Sequence, residues 1–210
     1  TITNSGTIET AEDGAINLSK NSNAVVTNTG TITADDEGAL EASNHIDLTF
    51  TNSGTLTAAD ATLDLRNAYT SGSVDNGSGA TVINSGTITA TAGDAIAIGT
   101  ETADDSRTHN NATITNKGTI SATDNSIIIS EATTGTNIVV DEEAAFTGEI
   151  EMNSTATTVT LSCTLTEDLD IEIHNKTSMT VTSNLCGNDT YEILDASLNA
   201  DADNSETDGY

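Results

Sequence analysis

Apolar and polar residues alternate in short segments from residue 1 to about residue 130. In the segment Thr87–Ile88–Thr89–Ala90, for example, the second and fourth residues are apolar and the first and third are polar. A period of two is typical of a β-strand that buries one face. No segment of this region keeps apolar residues at helical spacing for two turns. The pattern therefore predicts an all-β fold.

One phrase recurs five times: an apolar residue, a spacer, Asn, a spacer, Gly, Thr or a near match, and then Ile or Leu. Its asparagines are Asn4, Asn28, Asn52, Asn84 and Asn116, which lie 24, 24, 32 and 32 residues apart. A period in this range indicates one structural unit stacked on the next. The phrase therefore marks a repeat protein and not a globule with unrelated strands.

Each copy of the repeat holds three groups of apolar positions. The first group lies two residues before the asparagine and comprises Ile2, Val26, Phe50, Val82 and Ile114. The second group begins four residues after it, at Ile8, Ile32, Leu56, Ile88 and Ile120. The third group follows at Ile16, Leu40, Leu63, Ile96 and Ile127. Three short strands per copy predict one rung of a parallel β-helix (a β-solenoid), with rungs stacked about 4.8 Å apart.

The Asn–x–Gly step is predicted to form a corner between two strands of a rung. We expect its glycine to supply the positive φ that a tight corner needs. Stacked asparagines can hydrogen-bond amide to amide along the axis of the helix. We therefore interpret the five asparagines as a structural turn ladder and not as a site for an external ligand.

The repeat predicts one elongated domain over residues 1–198, regular to about residue 130 and irregular afterwards. Gly148–Glu149–Ile150 is interpreted as a further Gly–Thr–Ile corner, the next one after Gly118. Residues 199–210 form an acidic tail that we expect to be solvated or disordered. Aromatic residues make up 2% of the chain and proline is absent, which suits a narrow core lined by stacked strands.

The chain carries a net charge of −28, from 33 acidic and 5 basic residues. Nucleic acid and anionic membranes are poor partners for such a surface, because phosphate binding requires Lys and Arg. No apolar run approaches the roughly 20 residues that span a bilayer. Because residue 1 already lies in a predicted strand, we interpret the chain as a processed mature form or a piece of a longer protein.

The two cysteines, Cys163 and Cys186, are separated by close to one rung of sequence. Residues one rung apart lie within the Cα separation that a disulfide tolerates. We predict a disulfide between them, and two buried thiols that pack as small apolar side chains are the alternative. No Cys–x–x–Cys or Cys–His cluster supports a zinc site.

The phrase Thr81–Val82–Ile83–Asn84–Ser85–Gly86–Thr87–Ile88 resembles the repeats of bacterial autotransporter passenger domains and related surface adhesins. The segment Gly187–Asn188–Asp189–Thr190–Tyr191–Glu192–Ile193–Leu194 is similar to a phrase found near the end of such passengers. The resemblance implies a right-handed parallel β-helix that is secreted or displayed at the bacterial cell surface. It also implies adhesion to a host or surface receptor, self-association or filament building.

Two insertions expand the period from 24 to 32 residues at the same corner, between the third strand of one rung and the first strand of the next. They comprise roughly residues 66–79 and 99–111. Their cationic and aromatic side chains are Arg66, Tyr69, Arg107 and His109. Loops on a rigid scaffold often carry recognition, so we expect these residues to contact the acidic flank of a neighbouring copy. Two surface loops that simply grew longer are the alternative.

An acidic residue recurs eight to ten positions after each asparagine, at Asp13, Asp36, Asp60, Asp94 and Asp124. Carboxylates in a column repel one another unless they are solvated or bridged by a cation, and Ca²⁺ prefers oxygen ligands. The glycine-rich nonapeptide of calcium-binding β-rolls is missing from the chain. A solvated acidic edge is therefore the preferred interpretation, with no cofactor, and a Ca²⁺ site is the weaker one.

Two other functions compete with a structural role. Thr–x–Thr units at residues 31–33, 55–57 and 87–89 resemble the ice-binding faces of some β-solenoid antifreeze proteins, although Glu9 interrupts the row. A carbohydrate-active β-helix enzyme would use paired carboxylates, but aromatic platforms are few. The histidines His45, His109 and His174 lie in separate rungs and are interpreted as solvent-facing spacers. We expect no enzymatic activity.

The amino-terminal end of the predicted helix lacks a cap, because residues 1–3 already match the strand that precedes the asparagine. Unpaired strand edges at the end of a solenoid recruit other chains. We expect this end to be covered by a preceding domain or by another copy of the protein. Homotypic association is therefore the predicted partner relationship.

Overall fold

The computed structural model describes residues 1–18, 20–43, 45–67, 77–100, 109–130, 133–141, 143–153, 157–161, 169–173, 179–183 and 191–195. These residues form strands and turns, with no helix among them. The strands pair in parallel throughout this described part of the chain. The predicted parallel β-helix is confirmed, and it has three faces and one small sheet at a corner.

The first face is a sheet of parallel strands, and its first five strands contain the repeat asparagines and the apolar residues two positions before them. Its strands, in the order in which they pair, are β1 (Ile2–Asn4), β4 (Val25–Asn28), β7 (Thr49–Asn52), β11 (Thr81–Asn84), β15 (Thr113–Asn116), β18 (Thr136–Val140), β20 (Thr157–Leu161) and β22 (Met179–Ser183). The register aligns each asparagine with the next, from Asn4 to Asn116.

The second and third faces follow after the corners of each rung. The second comprises β2 (Thr7–Thr10), β5 (Thr31–Ala34), β8 (Thr55–Ala58), β12 (Thr87–Ala90), β16 (Thr119–Ile129) and β19 (Ala145–Met152). The third begins with β3 (Ile16–Asn17), β6 (Leu40–Glu41), β9 (Leu63–Asn67) and β13 (Ile96–Thr100). Because β16 and β19 run through the corner into this face, the two faces form one continuous sheet, which ends with β21 (Leu169–Ile173) and β23 (Tyr191–Asp195).

A small sheet lines the corner between the third face and the first face of the next rung. It consists of β10 (Gly77–Ser78), β14 (His109–Asn110) and β17 (Thr133–Thr134). The isolated bridges from Ser22 to Ile46 and from Ile46 to Ser78 extend it towards the amino end. Both insertions leave and rejoin the coil beside this sheet.

The interior is filled by columns of aliphatic side chains, as the alternation predicts. On the second face Ile32, Leu56, Ile88 and Ile120 stack directly on one another and are fully buried. On the first face the column of Val26, Phe50, Val82 and Ile114 is also buried. A fully buried side chain of this size stabilises the fold by about 1.5–3 kcal/mol relative to an exposed one. The columns therefore supply most of the apolar burial.

The later rungs follow a shorter period than the first five copies. Leu161 pairs with Val140 and Ser183 pairs with Leu161, so each of these rungs contains fewer residues than the rungs that carry the asparagines. The interpretation of Gly148 as a corner equivalent to Gly118 is wrong. Ala145 N bonds to Gly118 O, and Gly148 lies inside β19 opposite an irregularity in β16. Its φ of 92° accommodates the mismatch in length there.

Candidate functional site

The asparagines of the five copies form one buried ladder along the axis. The Nδ2 of Asn4, Asn28, Asn52 and Asn84 donates to Oδ1 of the next asparagine at distances of 2.8, 2.8, 2.9 and 2.9 Å. Each of these four Nδ2 atoms also donates to a threonine carbonyl of the next rung at 3.1–3.2 Å. The ladder thus joins successive rungs through buried polar groups that satisfy one another.

The glycine two residues after each asparagine has a different role from the one expected. Positive φ among glycines occurs at Gly79, Gly99, Gly135 and Gly148 within the described chain, and not at these corner glycines. A Cβ built on Gly86 would lie 2.1 Å from the carbonyl oxygen of Gly54, one rung closer to the amino end. The same approach, at 2.0–2.2 Å, occurs at Gly30, Gly54 and Gly118. Glycine is needed because the backbones of successive corners nearly touch.

Gly86→Ala is expected to destabilise the coil by about 1–3 kcal/mol or more, because the methyl group overlaps a backbone carbonyl that cannot move without separating two rungs. The matched control is Gly6→Ala, since a Cβ on Gly6 has nothing within 4 Å. Urea denaturation of the parent and the two variants measures the difference. Equal midpoints for Gly86→Ala and the parent would contradict the close stacking of the corners.

The two ends of the ladder are unlike each other. Among the described residues, Oδ1 of Asn4 accepts from Gly6 N alone, at 3.1 Å, whereas Oδ1 of Asn28 accepts from Gly30 N and from Asn4 Nδ2. At the other end, Nδ2 of Asn116 is buried without a hydrogen-bond partner among the described residues, because Val140 takes the next position in the column. Within the described part of the chain, the ladder therefore ends with a donor, Asn116 Nδ2, that has no acceptor.

The first rung is the amino-terminal face of the described coil. Ile2, Ile8 and Leu18 are only partly buried, whereas Val26, Ile32 and Ala42 in the same columns of the second rung are buried. The strands β1, β2 and β3 each stand at the end of their sheet.

A second turn column escaped the sequence analysis. Asn23, Asp47, Gly79, Asn111 and Gly135 all have φ between 54° and 71° and are bridged rung to rung by backbone hydrogen bonds. They lie five residues before the ladder column, where each rung enters the first face. Asn, Asp and Gly are the residue types that adopt this conformation most readily. The recurrence of Asn, Asp or Gly five residues before each ladder position could have predicted this column from the sequence.

His45 is fully buried, so its interpretation as a solvent-facing spacer is wrong. It precedes the first-face strand at the corner that carries the small sheet, and its ring Nδ1 contacts the carbonyl oxygen of Ala42. Burial lowers the pKa of the imidazole below its ordinary value, and the Ala42 carbonyl opposes this in part. The ring is therefore held neutral inside the coil. The side chain of His109 and the whole of His174 lie outside the described residues.

The lowered pKa of His45 predicts a loss of stability as the pH falls. The unfolded chain takes up a proton near pH 6.5 while the folded chain does not, so stability is complete above that pH and declines below it, by at most about 1.4 kcal/mol per pH unit. His45→Gln is expected to reduce this slope between pH 7.5 and 5.5. Urea midpoints of both proteins at several pH values measure it, and parallel curves would contradict the assignment.

The predicted assembly residues fall partly outside the described chain, since Tyr69, Arg107 and the side chain of His109 are not described. The insertions do start and end side by side, because Arg66 pairs with Gly99 and Ser78 pairs with Asn110. The Arg66 guanidinium is bound to Asp64 of its own strand, with Nε to Oδ1 at 3.0 Å and Nη2 to Oδ2 at 2.8 Å. The positive charge of Arg66 is therefore largely neutralised by Asp64 of the same strand.

The acidic residues of the predicted ladder do not form one column. Asp13, Asp36, Asp60 and Asp124 are exposed at their corners, whereas Asp94 is half-buried. Oδ1 of Asp94 accepts from the backbone N and from Nδ2 of Asn125, at 3.1 and 3.0 Å. Burial raises the pKa of Asp94, and these donors oppose the rise. Among the residues that the structure describes, no group of three or more His, Cys, Asp or Glu side chains is placed to hold a metal ion.

A different set of carboxylates approaches closely on the third face. Burial, followed by the charge of Glu37, raises the pKa of Glu41, and Asp64 adds to the rise. Glu41 Oε2 accepts from Asn17 Nδ2 at 3.0 Å. Glu41 is therefore bonded to the rung on its amino-terminal side through Asn17, whereas Asp64 is bonded to Arg66 of its own strand.

Threonines form two rows along the second face, with the inward residues between them. One row is Thr31, Thr55, Thr87 and Thr119, and the other is Thr33, Thr57, Thr89 and Ser121. All eight side chains are half-exposed. Neighbours are about 4.8 Å apart along the axis and about 6.7 Å apart along the strand. At the amino end the rows finish with Thr7 and Glu9.

Cys163 and Cys186 lie outside the described residues, so their pairing stays a prediction. Within the described part of the chain there is no helix of the length and apolarity needed to cross a bilayer. Comparison with known proteins finds no family model, curated protein or solved structure that matches the chain.

Proposed function

We propose that the chain is a non-catalytic β-helix of the bacterial cell surface or extracellular space that acts through self-association, building filaments or adhesive layers. The observation that carries this proposal is the position of the two insertions, which start and end side by side at one corner of the coil. Arg66 pairs with Gly99 where they start, and Ser78 pairs with Asn110 where they end. Loops that a rigid scaffold holds together in this way often carry recognition.

Lateral contacts between copies are proposed at the two insertions. The net charge of −28 makes flank-to-flank approach unfavourable unless a cationic group is interposed. Arg66 is bound to Asp64 of its own strand. Arg107 lies outside the described residues, and we propose it as the second cationic contact. Exposed charge contacts weaken with salt, because the screening length is about 10 Å at 0.1 M ionic strength.

Sedimentation velocity over a range of protein and salt concentrations tests the proposal. We expect species larger than the monomer, with the lateral component reduced by salt and by Arg107→Gln. Lys117→Gln is the matched control, because Lys117 lies outside the insertions and pairs with Asp141. A parent protein that stays monomeric at every concentration would overturn self-association. Equal behaviour of Arg107→Gln and Lys117→Gln would remove the insertions from the mechanism.

A second candidate function is ice binding, which is favoured by the two registered threonine rows. Hydroxyl and methyl groups repeat on this face in a two-dimensional array over four rungs. Such an array can order water across a surface, whereas an adhesive role does not require the regular spacing. Threonine is also a favoured strand residue, which is why this function ranks second.

Thermal hysteresis of the purified protein separates ice binding from the structural role. If the rows bind ice, Thr57→Tyr in their centre should abolish the hysteresis. Ala92→Tyr, at an exposed corner away from the rows, should leave it unchanged. Zero hysteresis in the parent at high concentration would remove this candidate.

A further inference from the structure

We infer that the outer surface of the first face is an interface at which two copies of the chain pack face to face as a closed dimer. This inference rests on the proposed self-association and adds to it a contact whose salt dependence is opposite to that of the insertions. Three features support it: the uncharged side chains of this face, the apolar side chains that it exposes and the regular spacing of its rows.

The outer side chains of the first face form two rows along the axis, which we call the first-face rows. One row runs in register from Val25 through Thr81 to Thr158, and the other runs from Thr27 through Ile83 to Thr160. Every side chain of both rows is half-exposed or exposed. Apart from three aliphatic side chains, the rows consist of threonines and one asparagine, so they carry no charge.

Charge is distributed unevenly among the faces of the coil. Glu41 and Asp64 are neighbours in the outer row of the third face, and Glu151 follows further along that row. Two copies that each carry a net charge of −28 repel one another wherever such flanks meet. At the first-face rows, two copies can come into contact without placing carboxylate against carboxylate.

The first face also presents the exposed large apolar side chains of the described chain. Val25 and Ile83 belong to its rows and are 39% and 36% exposed, and Ile46, at 45%, lies at the corner that leads into β7. Among the described residues, the threonine rows of the second face expose no large apolar side chain, and Glu9 stands at their amino end. Exposed apolar groups that share one face indicate contact with another protein surface.

The first-face rows are complementary to a second copy of themselves. Strands repeat about 4.8 Å apart in every copy, so the side chains of one face fit between those of an identical face, as in the dry contact of paired sheets. The sheet has eight strands and measures about 38 Å along the axis and about 13 Å across. Two facing sheets bury roughly 1,000 Å² in total, which is the lower limit for a specific interface. The contact is therefore weak and forms when the repulsion between copies is screened.

The symmetry and the salt dependence of this contact follow from its composition. Contact between two identical faces is isologous and stops at two copies. Because the rows contain no ion pair and salt screens the repulsion of the flanks, association through the first face strengthens as salt rises. Contacts at the insertions weaken under the same change. In this arrangement the insertions join face-to-face dimers into larger assemblies.

Ile83→Asp tests the inference by sedimentation equilibrium as the screening length falls from about 10 Å at 0.1 M salt to about 3 Å at 1 M. The parent should dimerise more tightly as salt rises. Ile83→Asp should lower the dimer association constant by at least about tenfold, because it places a carboxylate on each copy in a contact without cations. Its urea midpoint should stay close to that of the parent, since Ile83 is exposed. Thr89→Asp, which adds the same charge to the second face of the same rung, should dimerise like the parent.

The outcomes separate this inference from the proposed function. A parent that stays monomeric at every salt concentration would overturn both. Association that salt only weakens, or that Ile83→Asp leaves unchanged, would preserve self-association and overturn contact at the first face. Species larger than a dimer in high salt would also overturn it, because an isologous contact closes. Dimers that Ile83→Asp removes and that Arg107→Gln leaves intact at every salt concentration would support the inference and remove the insertions from the mechanism.

A variant that strengthens the contact provides an independent check. Thr51 and Thr115 are the neighbours of Ile83 in its row, and valine keeps their shape while replacing the hydroxyl with a methyl group. A dry contact gains apolar burial on both copies, so Thr51→Val combined with Thr115→Val should raise the dimer association constant by at least about threefold. An unchanged constant would contradict dry packing. Thermal hysteresis in a monomeric parent that Thr115→Tyr abolishes would assign ordered water to this face and would overturn the inference.

Discussion

Ile88→Asp is expected to prevent folding of the described coil. Ile88 is fully buried, with Leu56 stacked on one side and Ile120 on the other. A carboxylate at this position would lie between two apolar side chains with no cation in the column. An uncompensated buried charge costs several kcal/mol even after relaxation. Because native domains are stable by only about 5–15 kcal/mol in total, this single change removes most or all of the stability.

Thr89→Asp is the matched control, because Thr89 lies one residue away on the same strand and faces outward. It adds the same charge to a half-exposed position, where solvent screens it. Circular dichroism and urea titration should find a folded Thr89→Asp and an unfolded Ile88→Asp. If Ile88→Asp melted like the parent, the assignment of inward and outward positions would be wrong.

The columns of the core were predictable because two independent patterns in the sequence, the alternation and the repeat, assign the same residues to them. Alternation assigns Ile88 to one side of its strand, and the repeat aligns it with Leu56 and Ile120 at fixed offsets. Neither signal depends on side-chain detail. The same argument loses force after residue 130, where shorter rungs replace those of the five copies. Gly148 was misassigned because a local resemblance to the corner phrase was used where the period had changed.

The details of the corners were less predictable, because they depend on distances between rungs. The sequence shows that glycine recurs at Gly30, Gly54 and Gly86, and positive φ is the usual reason for such glycines. The approach of 2.0–2.1 Å to the preceding corner follows only from the stacked backbone. His45 was misassigned for a related reason. Its neighbours along the chain are mostly polar, but the corner sheet of the next rung covers it, with Ser78 N bonded to His45 O.

The residues of the asparagine ladder were predicted from the sequence, but the direction of their hydrogen bonds was not. The five asparagines could be named from the repeat, and stacking could be expected from their spacing. The direction of the ladder could not, since an amide carries donor and acceptor on the same side chain and sequence does not orient it. The donor of Asn116, which has no partner among the described residues, follows from that direction. The polarity of the ladder is therefore known only from the structure.

Asn52→Asp is expected to destabilise the coil by about 3–5 kcal/mol at neutral pH, as does the removal of one partner from a buried charged or polar pair. The change is isosteric, but it replaces the Nδ2 donor with an oxygen. That oxygen would face three acceptors: Asn84 Oδ1, Thr87 O and Gly54 O, now 2.9, 3.2 and 3.2 Å from Nδ2. A stacked apolar core tolerates such a cluster poorly, because its members cannot reach water.

The loss should depend on pH in a direction that identifies its cause. Burial and the facing acceptors would raise the pKa of the introduced carboxyl in the folded state above its unfolded value of about 3.9. The protonated acid restores a donor, so the penalty is smallest below that value and grows as the pH rises through the folded pKa. Ser53→Asp, at the adjacent exposed spacer, should show no such growth. The test is the difference in urea midpoint between each variant and the parent, measured from pH 3.5 to 7.5. If the difference for Asn52→Asp did not change across this range, the stability of the ladder would not depend on its Nδ2 donors.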